Sequence, residues 1–139
     1  EQVRAILEID LIVMEERHDV GISMIKGLGG YAPTLGIMGT VLGMISVLAE
    51  LGGSIEELGA SVALAFIATL YGVASANLMW LPLGDNLSAK SKEETHVKNM
   101  IVEGILSIQA GDNPRIVEEK LLGFLSPSER EARTAEAGA

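Results

Sequence analysis

The chain has 139 residues, a formal net charge of −9 and a mean hydropathy of +0.35. An acidic soluble domain of one-domain length is not expected to be that apolar, so charge and apolarity must occupy different stretches. The acidic balance and the 4% aromatic content argue against nucleic-acid binding, and the lack of cysteine excludes disulfides and thiolate metal sites.

Residues 1–26 read as the end of an amphipathic helical segment. Its apolar positions include Val3, Ile6, Leu7, Leu11 and Met14, followed by the charged run Glu15, Glu16, Arg17, His18 and Asp19. Charge alternates with apolar residues up to Arg17, which is not the pattern of a cleavable signal peptide. The segment begins mid-pattern and without methionine, so a preceding part of the native protein is expected.

Gly27 to Ala49 gives 23 residues without a charged side chain, and Leu58 to Gly84 gives 27. A bilayer core needs roughly 20 helical residues to cross it. Both runs therefore predict transmembrane helices, since a chain of this length cannot wrap two such helices on all sides. The turn between them, residues 50–57, carries Glu50, Glu56 and Glu57 and no Lys or Arg. Arg17 and Lys26 precede the first run, and Lys90, Lys92 and Lys98 follow the second. The positive-inside rule places both ends in the cytoplasm and the acidic turn outside, with Tyr31 and Trp80 at the inner boundary.

Small residues fall on stripes. Gly36, Thr40 and Gly43 recur at helical spacing in the first span, with Gly39 beside them. Ser61, Ala65, Thr69, Gly72 and Ala76 do so in the second. Such stripes allow the close backbone approach on which helix association in lipid depends. They suit either packing within one hairpin or contact with a central partner helix in an oligomer. Thr40 and Thr69 could bond back to their own helices, or offer hydroxyl oxygens to a cation. Neither span contains Asp, Glu, His, Lys or Arg. Proton relays run on ionisable side chains, so a conducting chain of this kind must take its carboxylate from another polypeptide.

Pro33 reads as an early-turn proline, where a missing N–H costs nothing. Pro82 is flanked by helical residues and predicts a kink, a freed Leu78 carbonyl and a hinge. Beyond it, Val97, Ile101, Ile105 and Ile108 predict one apolar helix face. Gly111-Asp-Asn-Pro114 breaks the chain, with Asn113 or Asp112 as N-cap and Pro114 as first helical residue. A helix to about Leu125 should place Val117, Leu121 and Leu125 inward. Ser126-Pro127 stops it, and the polar tail over 126–139 reads as disordered. The expected organisation is a segment over 1–26, spans over 27–49 and 58–84, helices over 85–125 and that tail. It is an all-α membrane protein, a transmembrane hairpin extended by cytoplasmic helices. His18 and His96 lack ligand spacing, and no nucleophile–base pair or nucleotide loop is present, so no catalytic residue, metal or cofactor is expected.

Tyr31-Ala-Pro-Thr-Leu-Gly-Ile-Met-Gly-Thr-Val-Leu-Gly43 resembles the third membrane helix of the MotA/TolQ/ExbB proton-channel superfamily. Ala65-Phe-Ile-Ala-Thr-Leu-Tyr-Gly72 through Leu81-Pro-Leu83 resembles its fourth. Glu103 to Leu122 looks like the cytoplasmic ending of MotA-type flagellar stators rather than of TolQ or ExbB. The resemblance implies a bacterial inner-membrane subunit of four spans, the first two outside this chain. It implies a pentamer around two copies of a MotB-type single-span subunit, each supplying an essential aspartate, and torque on a FliG-type rotor protein. On this resemblance Thr40, Thr69, Gly36, Gly43, Ala65 and Gly72 line the ion pathway, with Thr69 facing the partner aspartate. Pro33 and Pro82 match prolines that couple ion passage to conformational change. Thr40 stands where sodium-driven relatives carry threonine, while Ala68 stands where some of them have a second one, so H+ and Na+ both stay open as the transported ion. The family's rotor-contacting charges lie upstream of residue 1, which leaves Glu15, Glu16 and Arg17 as rotor-facing candidates. A TolQ/ExbB-like energiser of envelope transport and a non-conducting scaffold are the competing readings.

Overall fold

A computed structural model describes residues 2–49, 52 and 55–137, all of which lie in helices or their connections. Helix α1 runs Gln2–Ala49 and α2 runs Ile55–Ser75. A single π-helical turn, Ala76–Trp80, joins α2 to α3, Leu81–Ala110. Two short helices follow, α4 at Pro114–Leu122 and α5 at Pro127–Ala137. Of the acidic turn, Glu50, Leu51, Gly53 and Ser54 lie outside the described residues.

The helices form two compact units. One comprises residues 19–89, and the other the residues up to His18 together with those from Lys90 onward. In the first, α1 and α2 make an antiparallel hairpin held along a narrow stripe. Gly29, Gly36, Val47, Ala65 and Ala76 are buried, while Leu35, Ile37, Leu42, Leu64, Phe66, Leu70 and Tyr71 are exposed. Among the described residues, two helical stretches are long and apolar enough to cross a membrane, and only 11% and 6% of their most apolar windows are buried. A soluble protein buries its apolar helices against itself. Here the apolar surface faces outward, which is the solution available to helices solvated by lipid.

In the second unit Leu11, Met14 and Ser107 are buried. Gly111 takes φ +76° and ends α3. Its N–H donates to Ile108 O at 3.1 Å and the Asp112 N–H donates to Ser107 O at 3.1 Å, the double bond pattern that closes a helix through a left-handed residue. Asn113 then caps α4 by accepting from the Arg115 N–H, with Pro114 first in the helix. Lys120 ties α4 back to α3, reaching Asp112 at 2.8 Å, Ser107 at 3.1 Å and Glu103 at 3.6 Å. Its hydrogen bond to Asp112 raises the ammonium above its ordinary value.

Several expectations are corrected. Pro33 lies in the interior of α1 rather than in an early turn, because one continuous helix carries both the 1–26 segment, from Gln2 on, and the 27–49 run. The helix absorbs the proline's missing N–H at the level of Gly29, four residues back. At Pro82 the chain stays helical through a widened turn just before the ring, and the Leu81 N–H donates to Ala76 O, five residues back. Val97, Ile101, Ile105 and Ile108 point outward, at 38% to 72% exposure. The inward side of α3 instead carries Val102, Leu106 and Ser107. Val3 and Ile6 are likewise exposed. Helix α4 ends at Leu122, short of Leu125.

The tail is helical to Ala137 rather than disordered. Ser126 does not merely stop α4 but caps α5. Its Oγ accepts from the Glu129 N–H at 3.4 Å, and Glu129 Oε2 accepts from the Ser126 N–H at 3.0 Å and from its hydroxyl at 2.6 Å. This reciprocal box satisfies the open end of the helix, and the hydroxyl bond holds the Glu129 carboxyl below its ordinary value.

Candidate functional site

The small-residue stripes of the two spans face each other. A Cβ added to Gly36 would lie 2.9 Å from Ala68 O and 3.1 Å from Thr69 Cα. One added to Gly72 would lie 2.7 Å from Ala32 O and 2.9 Å from Gly36 Cα. At Gly43 a new Cβ would meet that of Ala65 at 2.6 Å, and at Gly39 that of Ala68 at 2.8 Å. The α1 and α2 backbones thus touch along four successive contacts, an approach that any larger side chain would block.

Thr40 and Thr69 meet in this seam, half-buried, hydroxyl to hydroxyl. Thr40 Oγ1 is also within reach of Ala65 O at 3.1 Å and Gly36 O at 3.2 Å, and Thr69 Oγ1 of Gly36 O at 3.3 Å. Each hydroxyl has one proton to donate and keeps lone pairs free to accept. The pair therefore does two things. It bonds the helices across the seam, and it gathers two hydroxyl and two carbonyl oxygens at one level. No carboxylate, imidazole, ammonium or guanidinium lies in either apolar run, so the cluster can bond or coordinate but cannot relay a proton alone.

The two proline turns come to one level of the hairpin. Gly29, whose carbonyl faces Pro33's missing N–H, is buried against Leu81 and Trp80, the residues just before Pro82. A Cβ added to Gly29 would lie 2.8 Å from the Leu81 side chain, which would have to shift to admit it. One turn on, Lys26 lays its stem over Gly84 and pairs with Asp85 at 2.8 Å. Sequence reasoning passed over Gly29, Gly84 and this ion pair. A readable signal existed, because Lys26 and Asp85 are opposite charges at the same boundary of the two spans. Glu15, Glu16 and Arg17 lie on the exposed side of α1 in the other unit. There His18 Nδ1 lies 3.1 Å from Ser91 Oγ, and His96 Nε2 lies 2.7 Å from Phe124 O.

The chain is thus a tightly seamed helical hairpin without ionisable side chains in its apolar runs, whose two hydroxyls meet inside the seam. Residues 1–100 match the model of the MotA/TolQ/ExbB proton channel family, and the chain belongs to that family. Among its relatives, Motility protein A of Borreliella burgdorferi is 46% identical over 130 residues, which is 94% of this chain and 50% of that protein. Chemotaxis protein PomA of Vibrio alginolyticus is 34% identical over 92% of this chain and 50% of its own length. The structure superimposes on a chain of the flagellar MotAB stator complex from Bacillus subtilis with a TM-score of 0.84 and 36% identity, over 93% of this chain and 50% of that one. The chain spans about half the length of the curated relatives it matches.

Proposed function

We propose that this chain is the channel-forming half of a flagellar stator subunit. It would couple H+ or Na+ flow, through an aspartate supplied by a MotB-type single-span partner, to torque on a FliG-type rotor protein. The carrying observation is the acid-free seam, where Thr40 and Thr69 set hydroxyls among backbone carbonyls in spans that hold no ionisable carboxylate. Such a pathway requires a borrowed acid, and the stator complex of the matched structure contains a second type of subunit. The resemblance implies the bacterial inner membrane, and the positive flanks favour both chain ends in the cytoplasm. A pentamer around two partner helices is the assembly that the resemblance implies. The ion is cargo, and the reading needs no resident cofactor and no covalent chemistry. In this frame Glu15, Glu16 and Arg17, exposed on α1, are the candidates for the rotor-facing charges.

The test is motility. The full-length protein and its partner, expressed in a stator-deleted strain, should restore swimming, and Thr69→Val should reduce it while assembly persists. Swimming speed titrated with sodium at fixed pH identifies the ion. No swimming from a well-assembled complex would overturn the proposal.

A further inference from the structure

Within the unit that holds the residues beyond Lys90, a cleft of about 490 Å³ opens between α3 and the link that leads into α5. That size falls in the roughly 300–1,000 Å³ range of ligand clefts. Val97 and Met100 line it from α3, and Phe124 and Leu125 line it from the link. Met100, Phe124 and Leu125 are half-buried and Val97 is exposed, so the lining is apolar and reachable from outside. Phe124 is fixed in place by His96. The His96 Nε2–H donates to Phe124 O at 2.7 Å, and the two rings lie tilted with centroids 5.7 Å apart.

Two exposed carboxylates, Glu93 on α3 and Glu129 on α5, line the same cleft, and no lysine or arginine does. Among the described residues neither acid is paired with a cation. Lys98 goes to Glu94, Lys120 to Glu103 and Asp112, and Arg4 to Glu8. Glu129 accepts from Ser126, yet a carboxylate has about four lone-pair sites and keeps some open. Among the described residues no group of three side chains is placed to hold a metal ion. The cleft therefore offers unpaired negative charge, an aromatic ring and an apolar lining together. An ammonium is strongly hydrated and meets only the charge. A guanidinium is planar and weakly hydrated, stacks on aromatic faces, bonds carboxylates through a fork of donors and carries an apolar stem.

We propose that this cleft is a docking site for an arginine-bearing segment of a partner protein. The guanidinium meets the Glu93 and Glu129 carboxylates beside the Phe124 ring, and apolar side chains flanking the arginine cover Val97, Met100 and Leu125. Charge selects the ligand, and the apolar lining holds the segment that carries it. The proposal does not rest on the stator reading, since no residue of either apolar run takes part in it.

The experiment uses the full-length protein in lipid nanodiscs, labelled at its methionine methyl groups and followed by NMR. The Met100 signal, assigned through Met100→Leu, reports on the cleft. The probes are a short capped peptide with arginine between leucines, the same peptide with citrulline or glutamate in place of arginine, and spermidine. The arginine peptide should shift Met100 saturably. The citrulline peptide keeps the shape without the charge and should bind roughly 2- to 30-fold more weakly, the loss of two exposed ion pairs, and the glutamate peptide more weakly still. Glu93→Gln combined with Glu129→Gln should weaken the arginine peptide to the same extent, because glutamine keeps the cap on α5 and removes only the charge. If the double variant loses α5, Glu93→Gln alone is read in its place and should still weaken binding. Equal binding of the arginine and citrulline peptides, or arginine binding unchanged in the glutamine variants, overturns the charge recognition. A Met100 signal that answers no peptide, as when a segment outside this chain already fills the cleft, overturns the site. Spermidine bound as tightly as the arginine peptide overturns a protein partner.

Discussion

Replacing Gly72 with alanine puts a number on the seam. The new Cβ would sit 2.7 Å from Ala32 O and 2.9 Å from Gly36 Cα, both backbone atoms that cannot swing aside. Restoring contacts of about 3.5 Å requires the helices to part by roughly 0.7 Å. Thr40 Oγ1, now 3.1 Å from Ala65 O, would then stand about 3.8 Å away, beyond bonding distance. Thr69 Oγ1 would lose Gly36 O in the same way. Interhelical hydrogen bonds in bilayers contribute about 0.6 kcal/mol each, and overpacking costs about 1–3 kcal/mol. Alanine returns about 1 kcal/mol of helix propensity. The net expectation is a hairpin destabilised by about 1–3 kcal/mol. Gly30 provides the control, since nothing lies within 4 Å of a Cβ added there. Gly30→Ala should be neutral or stabilising. Titration of the purified chain with SDS in mixed micelles, followed by the fluorescence of Trp80, the single tryptophan, compares the two. Unfolding of both variants at the same SDS fraction would refute the contact seam.

Two further outcomes follow. Pro82→Ala supplies the backbone N–H that the proline lacks and stiffens the helix at this point, so it should assemble normally but swim at a small fraction of wild-type speed; normal swimming would remove Pro82 from the coupling. The folded-state values of Glu129 and Lys120 predict opposite pH limits for the unit beyond Lys90. Glu129 is held below its ordinary 4.5, so its cap stabilises α5 above that value and is lost as the pH falls through the depressed folded one. Lys120 is raised above 10.5, so its ties to α3 persist through neutral pH and are lost only as the pH rises through that higher value. Amide exchange of α5 and α4 should accelerate at the acid and alkaline ends respectively, and Ser126→Ala should remove most of the acid effect.

Much of the hairpin was legible because lipid imposes a simple rule: uncharged runs long enough to cross, with charges at their ends. Gly36, Thr40, Gly43, Ala65, Thr69 and Gly72 were readable as a stripe from spacing alone, yet spacing could not say that the two stripes meet each other. That depends on the azimuth of each helix, which no one-dimensional pattern carries. Apolar periodicity misled at Val97, Ile101, Ile105 and Ile108, since α3 carries apolar residues on more than one side and the spacing rule cannot rank them. Pro33 misled because the charged run before it suggested a boundary, whereas α1 passes straight through. The α5 helix was missed although Ser126 and Glu129 stand at capping-box spacing, because the composition of the tail outweighed its cap.

The central claim is that these spans conduct only with an acid brought by a partner. Ion flux measured in vesicles holding the full-length protein, with its single-span partner present and any plugging segment removed, tests it most directly. A leak that appears with the partner's membrane aspartate intact, and vanishes when that residue is asparagine, is the predicted result. A leak of equal size without the partner, or with the asparagine, would contradict it.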